Sequence, residues 1–391
     1  MKSIPWLYYL KLPFKRWAYE LLDQLVIFLV KPGNEGGLLV FRLDLLGDYL
    51  VCRPFFNCLV RDAPFGETSF SFAGNKMLQD FAEGADAEVF REFFWIDRGK
   101  FINSLWYRWK ILSGIRRRGF STVINPSHTR QFWLESVVRV SGAKRRIAAS
   151  ATGQYMNSWE QSLADSWYSG IFVTGKEPCF EFFRNQAFFR QFAPSADLVT
   201  GMGAHRLPQS HRKKLILLAP GASTEERRWP AEYFAALAEA LAEEFPDFHF
   251  GLTGSPAEEE LCRGIALHCH ASIPEVFAGH LSLTDSVKLI SEATLLVANE
   301  SGSVHIAAGS GTPCVCISNG NHFGRWNPYP ASVAADILTC YPGFFFPLES
   351  KKTDLLLRFH DHSSIPASEV DFEQVRSACI RLISDALRNQ L

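Results

Sequence analysis

The feature that most constrains this chain is an apolar run that does not alternate. Leu38-Leu39-Val40-Phe41 is apolar at every position, which suits a strand only when both of its faces are covered, as in a parallel sheet flanked by helices. Further strand candidates follow at residues 68–73, 93–96 and 122–124, with helical stretches at 101–118 and 131–140 between and after them. The rhythm then restarts. Residues 215–219 read as a strand, and 231–244 as a helix of good formers that Pro230 introduces. Strand 248–253, helix 258–268, strand 295–298, helix 304–308 and strand 313–317 continue it, and the last twenty or so residues, from 369, read as a terminal helix. Between about 185 and 213 the chain turns polar and carries Pro194, Gly201, Gly203 and Pro208, the marks of a boundary. Two successive βα halves predict an α/β protein of two Rossmann-like, doubly wound domains, 36–200 and 201–368, facing a central cleft.

A length of 391 residues gives each domain an ordinary size, and a net charge of −1 offers no global attraction for a polyanion, so nucleic acid is not an expected partner. The nine cysteines form no CxxC pair and no Cys/His cluster with zinc spacing. They read as reduced, buried thiols of a cytoplasmic protein, with no metal site. The first 35 residues form an amphipathic segment, in which Trp6, Tyr8, Tyr9, Phe14 and Trp17 alternate with Lys11, Lys15 and Arg16. No apolar stretch precedes a small-residue cleavage site as in a signal peptide, and the run 25–30 is far short of the roughly 20 residues that span a bilayer. The segment reads either as a helix lying on a membrane surface or as one packed on the domain.

In open α/β sheets, ligands bind beyond the carboxyl ends of strands, and four loops there carry chemistry. Arg42-Leu43-Asp44-Leu45-Leu46-Gly47-Asp48 follows the first strand. Gly47 permits a tight turn, and Asp48 in the first helical turn reads as a general base kept ionised by the dipole, or as a simple cap. Residues 219–224 end in Ser223 and Thr224 and precede Arg227-Arg228-Trp229-Pro230. They read as a diphosphate clamp or as a plain strand-to-helix loop. Neither a Walker Gly-Lys-Ser/Thr nor a GxGxxG occurs. In Asn299-Glu300-Ser301-Gly302-Ser303-Val304-His305 a polar turn opens a helix. Ser301, Gly302 and Ser303 suit a phosphate, Glu300 a sugar hydroxyl, and His305 reads equally as a core residue. Glu258, after Gly254 and Ser255, suits a ribose diol or a helix cap.

Together these loops resemble glycosyltransferase family 9, the ADP-heptose:lipopolysaccharide heptosyltransferases. The first loop meets the family's Arg-x-x-x-x-Gly-Asp with Arg42, Gly47 and Asp48. The second meets its Pro-Gly and basic-x-Trp-Pro with Pro220, Gly221, Arg227, Trp229 and Pro230. The third meets its Ser-Gly-x-x-His and Gly-Thr-Pro with Ser301, Gly302, His305 and residues 311–313. One departure stands out: Glu300 occupies a position where the family usually has Asp. The resemblance implies a GT-B architecture with the acceptor on the first domain and the nucleotide sugar on the second. It also implies a C-terminal helix, 369–391, packing back on the first. The implied reaction is inverting heptose transfer from ADP-heptose to a lipopolysaccharide-type acceptor, with no cofactor or obligatory metal. Asp48 and Arg227 would be catalytic. Ser223, Thr224, Glu258, Glu300, Ser301, Gly302, Ser303 and His305 would hold the donor, and Arg42, His128, Arg130, Arg116 and Arg117 the acceptor. Residues 319–330, with His322, Arg325, Trp326 and Tyr329, read as a lid or acceptor loop.

Residues 98–120 carry seven basic side chains and no acidic one, interleaved with Trp106, Tyr107 and Trp109. This stripe reads either as a face for anionic lipid or the phosphates of a lipid-linked acceptor, which would place the protein peripherally on the inner face of the cytoplasmic membrane, or as a solvated helix face with its aromatics in the core. The rival classes are less well served. A nucleotide-dependent oxidoreductase wants GxGxxG, and a glycoside hydrolase wants two facing carboxylates. A transferase using another nucleotide sugar or a non-lipid acceptor, and a non-catalytic nucleotide-binding scaffold, remain as alternatives.

Overall fold

The computed structural model describes residues 6–175, 179–202 and 212–388; of the boundary residues, Gly203 and Pro208 lie outside them. Two compact units result. The first comprises residues 1–45, 55–175 and 187–196, and the second 46–54, 176–186 and 197–391. The boundary therefore falls near 197, but two short segments belong to the second unit, and one of them carries Gly47 and Asp48.

The first unit holds β1 (Leu38–Arg42), β2 (Phe70–Asn75), β3 (Glu92–Ile96), β4 (Thr122–Asn125), β5 (Arg145–Ala149) and β6 (Gly170–Phe172). They form one parallel sheet in the order β3-β2-β1-β4-β5-β6. The second holds β7 (Lys213–Ala219), β8 (His249–Leu252), β9 (Glu275–Val276), β10 (Ala293–Asn299), β11 (Cys314–Ile317) and β12 (Ile337–Cys340). Its order is β12-β11-β10-β7-β8-β9, again parallel throughout. Counted from its own first strand, each sheet has the doubly wound order 3-2-1-4-5-6, whose connections reverse between the first and fourth strands. Those reversals lie between β1 and β4 and between β7 and β10. The central strands are buried along their whole length, β1 and β10 at every residue, as their unbroken apolar runs require.

The N-terminal segment is a helix, Trp6–Leu29. Leu22 and Val26, with Val30 just beyond, enter the core of the first sheet. Burying each of them contributes roughly 1.5–3 kcal/mol. The opposite side exposes Trp17, Leu21, Leu25 and Phe28, the last 85% accessible; this spacing makes one stripe. Among the described residues no helix is long and apolar enough to cross a membrane.

The basic stripe divides between interior and surface. Arg108 is buried and pairs with Asp23 of the N-terminal helix at 3.1 Å. Arg116 donates to the carbonyls of Ile27, Val30 and Val140 at 2.9, 2.5 and 2.9 Å, closing the end of that helix. Arg116 therefore leaves the acceptor set, because its guanidinium caps backbone instead. Arg117, Lys110 and Trp106 remain exposed.

The C-terminal helix, Phe372–Arg388, also departs from expectation. Val375, Cys379 and Ile383 sit in the second sheet's core beside Leu295, Val297 and Val315. Its apolar face is spent on its own domain.

Candidate functional site

The second sheet's reversal point gathers three of the four loops. Asn299, the last residue of β10, is fully buried. Its Nδ2 donates to the Pro220 carbonyl at 2.7 Å, and its Oδ1 accepts from the Trp229 N–H at 3.1 Å. One side chain thus fixes both ends of the segment that follows β7. Trp229 is 1% exposed and donates its indole N–H to the Val370 carbonyl, so the Trp of the motif is an anchor in the core.

Between those anchors Arg227 closes a short turn, Glu225–Arg227. Its Nη1 donates to Ser223 Oγ at 3.0 Å, and its Nη2 donates to the Glu300 carbonyl at 3.0 Å. Nη2 also lies 3.3 Å from Glu300 Oε1, with the arginine side chain 21% exposed. Its Nε–H is buried with no acceptor among the described residues. A fold seldom leaves such a donor unspent unless something else accepts from it. Thr224 and Ser223 are exposed beside it.

The polar turn after β10 opens helix Gly302–Ser310, whose N-cap Ser301 makes no side-chain cap bond. Its first-turn N–H groups and dipole therefore offer positive potential at residues 301–303. One turn on, His305 is buried, with Nδ1 2.5 Å from the Tyr329 hydroxyl and its ring edge-on to Trp326. Burial first, and Arg227 second, lower its pKa to about 4, so the imidazole is neutral at physiological pH.

Asp48 lies in the first turn of helix Leu46–Cys52 and is half-buried. That helix packs against the start of Gly302–Ser310. A Cβ on Gly47 would fall 2.6 Å from His305 Cδ2, and one on Gly302 would fall 3.2 Å from Leu46 Cδ2. Gly47 is thus required by close approach, and its contact brings the Asp48 turn to the wall formed by residues 301–305.

Glu258 is a cap in a capping box: its Oε2 accepts from Ser255 N–H and Oγ at 2.7 and 2.9 Å. Its other oxygen lies 1.9 Å from where a Gly221 Cβ would be, so only glycine lets this carboxylate lie against the loop after β7.

The first unit treats its expected acceptor residues differently. Arg130 is ion-paired with Glu135 at 2.9 Å and Asp165 at 2.8 Å, and lies over the Tyr168 ring. Burial opposes its charge, but Glu135, Tyr168 and Asp165 outweigh that and raise its pKa. Arg130 therefore leaves the acceptor set, its guanidinium fully buried between Glu135 and Asp165. His128 is buried with Nδ1 3.2 Å from Thr174 Oγ1, and Arg42 is buried with Nε 3.3 Å from Asp44. Of the five, only Arg117 is exposed.

Residues 319–330 are packed rather than lid-like. Asn319 donates to the Ile365 carbonyl, Asn321 accepts from Ser363 N–H, and buried Arg325 pairs with Glu181 at 3.1 Å. Asn299, Ser318 and Tyr329 complete the wall. Asn299 borders a recognisable motif, but the partners of all three lie far off in the sequence.

Residues 187–342 match the family model for glycosyltransferase family 9 (heptosyltransferase). The lipooligosaccharide heptosyltransferase 2 of Haemophilus ducreyi is 34% identical over 115 residues, 28% of this chain and 32% of that protein. The match thus spans about a third of that curated relative. A glycosyl transferase family 9 structure from Veillonella parvula superposes with a TM-score of 0.69, at 17% identity, covering 91% of this chain and 99% of that one. The ADP-heptose lps heptosyltransferase II of E. coli gives 0.62 at 16% identity, covering 89% and 99%. The fold is that of these proteins, the GT-B class expected from the sequence.

Proposed function

From the premise that residues 187–342 are a glycosyltransferase family 9 domain, we propose that this chain is an inverting glycosyltransferase. It moves a heptose from ADP-heptose to a lipopolysaccharide-type acceptor. One observation carries the reading: Arg227 is held beside an uncapped helix start at the reversal point of the second sheet, with a guanidinium donor unspent. A cation and a helix N-terminus at such a crevice suit a diphosphate.

In this reading Asp48 takes the proton of the acceptor hydroxyl, whose oxygen attacks the anomeric carbon as the bond to the diphosphate breaks. Arg227 and the N–H groups at 301–303 stabilise the charge that develops on the departing ADP, so no metal is required and activity survives EDTA. Ser223 and Thr224 flank the phosphates. Arg117 and the exposed stripe Trp17, Leu21, Leu25 and Phe28 make the protein peripheral on the inner face of the cytoplasmic membrane. Replacing Trp17 and Phe28 by Ser should lower binding to anionic vesicles, and unchanged partitioning removes that part.

Thermal unfolding with ADP, UDP, GDP and CMP tests the donor, because a ligand of the native state raises the melting temperature. A shift with ADP alone is expected. A preference for UDP or GDP keeps glycosyl transfer and replaces the sugar, and no shift with any of them overturns the reading. Asp48→Asn should keep the ADP shift while turnover falls by about 10²–10⁴-fold; normal turnover takes Asp48 out of the mechanism.

A further inference from the structure

Glu300 stands where the resemblance would place a contact to the donor sugar. Its surroundings give it different work. Its carboxylate is turned into the protein and is 5% exposed. Oε2 accepts from Ser318 Oγ at 2.5 Å, at the end of β11, and that hydroxyl in turn accepts from the Gly320 N–H. Oε1 faces Arg227 Nη2 at 3.3 Å, and the main-chain oxygen of the same residue receives the hydrogen bond from that nitrogen. The Glu300 N–H donates to the Ile317 carbonyl. Both carboxylate oxygens and both main-chain polar groups are thus engaged by protein. One glutamate links the loops that follow β7, β10 and β11.

Resting on the transferase reading, we infer that Glu300 is a positioning residue that acts through Arg227. It grips the Nη2 edge of the guanidinium from two sides while Ser223 takes Nη1. The torsions of the arginine side chain are thereby fixed before any ligand arrives, and its exposed fifth, on the Nη1 side beside Ser223, remains for an incoming phosphate. An arginine free in solution loses most of its rotamer freedom on binding, so holding it in place beforehand strengthens binding without adding a contact. Glutamate rather than aspartate is what this geometry calls for. The carboxylate must span from the end of β10 to both Ser318 and Arg227, and a chain one methylene shorter would reach less far. Burial raises the carboxyl pKa, and Arg227, Ser318 and Asn327 oppose that rise, as expected for a group whose charge is balanced inside the wall.

The test compares two probes, ADP and adenosine, on the full chain. Glu300→Gln keeps the shape of the side chain and removes its charge. It should weaken ADP by about tenfold, while adenosine, which lacks the phosphates, binds unchanged. In an Arg227→Ala background the same replacement should cost nothing more, because its effect runs through that arginine. Additive losses, equal losses for adenosine and ADP, or an unchanged ADP affinity each overturn the inference. If Glu300→Gln does not fold, Ser318→Ala removes the second anchor without touching charge. It should weaken ADP about threefold and leave adenosine alone; no change overturns the inference as well. Wild-type protein that binds neither probe overturns the transferase reading and this inference with it. Wild-type protein that binds ADP while the variants match it overturns this inference alone.

Discussion

Each domain pairs an arginine with a buried glutamate beside the reversal point of its sheet, and the two pairs do opposite things. Arg130 follows β4 and is closed in from all sides by Glu135, Asp165 and Tyr168, with Asn125 completing the network through Glu135. Arg227 follows β7 and meets one carboxylate. It keeps a fifth of its side chain exposed and has a donor unspent. An arginine at a crevice is therefore not a ligand site by position or by pairing. What counts is whether the guanidinium keeps an exposed edge after the fold has taken its share. The first pair staples a domain, and the second presents a charge.

The largest expected effect separates them on stability. Arg130→Ala leaves Glu135 buried beside Tyr168 without its cation, which costs about 3–5 kcal/mol. For a domain of this size that lowers the melting temperature by about 2–4 °C per kcal/mol. ADP binding to the folded protein should be untouched. A melting temperature close to wild type would mean that the network is not a staple, and the contrast would fail from that side.

Arg227→Ala should show itself first in function, with kcat/KM down by about 10²–10³-fold and ADP binding weakened but measurable at higher ADP. Its stability cost is smaller and depends on pH. Burial raises the native-state pKa of Glu300 above its ordinary 4.5. A raised carboxyl stabilises the fold fully below its unfolded pKa and loses that contribution as pH climbs through the native one. Arg227 limits the rise, so removing it extends the loss upward. The variant should therefore be more destabilised at pH 8 than at pH 5. An equal cost at both values would mean that Glu300 is not charged against Arg227, and the second pair would be no pair at all.

This contrast marks the limit of what the chain discloses before it folds. Continuous apolar runs located β1, β7, β10 and β11 within about two residues, and strand ends located the loops after β1, β7, β8 and β10. The inner strand β5, which opens on two arginines, went unread, as did the short edge strands β6, β9 and β12. They carry three, two and four residues, too few for a periodic signal. The helix expected over 101–118 breaks at Ser104, whose extended backbone and side chain cap Leu105–Arg118. Arg116, Arg130 and Arg227 look alike in sequence because each has a partner far along the chain. Arg130 finds Asp165 35 residues away and Arg227 finds Glu300 73 away. The position of Asp48 was legible as a turn after a strand, but not its grouping with the second domain, which rests on Gly47 meeting His305.

The smallest effect probes whether the wall behind Arg227 belongs to the clamp or only supports it. Burial lifts the Tyr329 hydroxyl well above its ordinary pKa, so it keeps a proton to donate to His305 Nδ1 in the Nε2–H tautomer. The remaining proton of the neutral imidazole is then on Nε2, toward the turn at Gly47. With a native pKa near 4 against 6.5 unfolded, His305 favours the fold above its unfolded value and loses that contribution as pH falls through about 4. Tyr329→Phe removes the donor without opening a large cavity and should cost about 1 kcal/mol, seen as a melting temperature lower by about 2–4 °C. Nitrogen chemical shifts of His305 should show the Nε2–H form give way to a mixture. ADP affinity should hold, since nothing between Tyr329 and Arg227 passes through a shared hydrogen bond. If Tyr329→Phe instead weakens ADP as much as Arg227→Ala does, His305 and its aromatic wall are part of the phosphate site. The contrast between the two arginines would then rest on a whole surface rather than on one unspent donor.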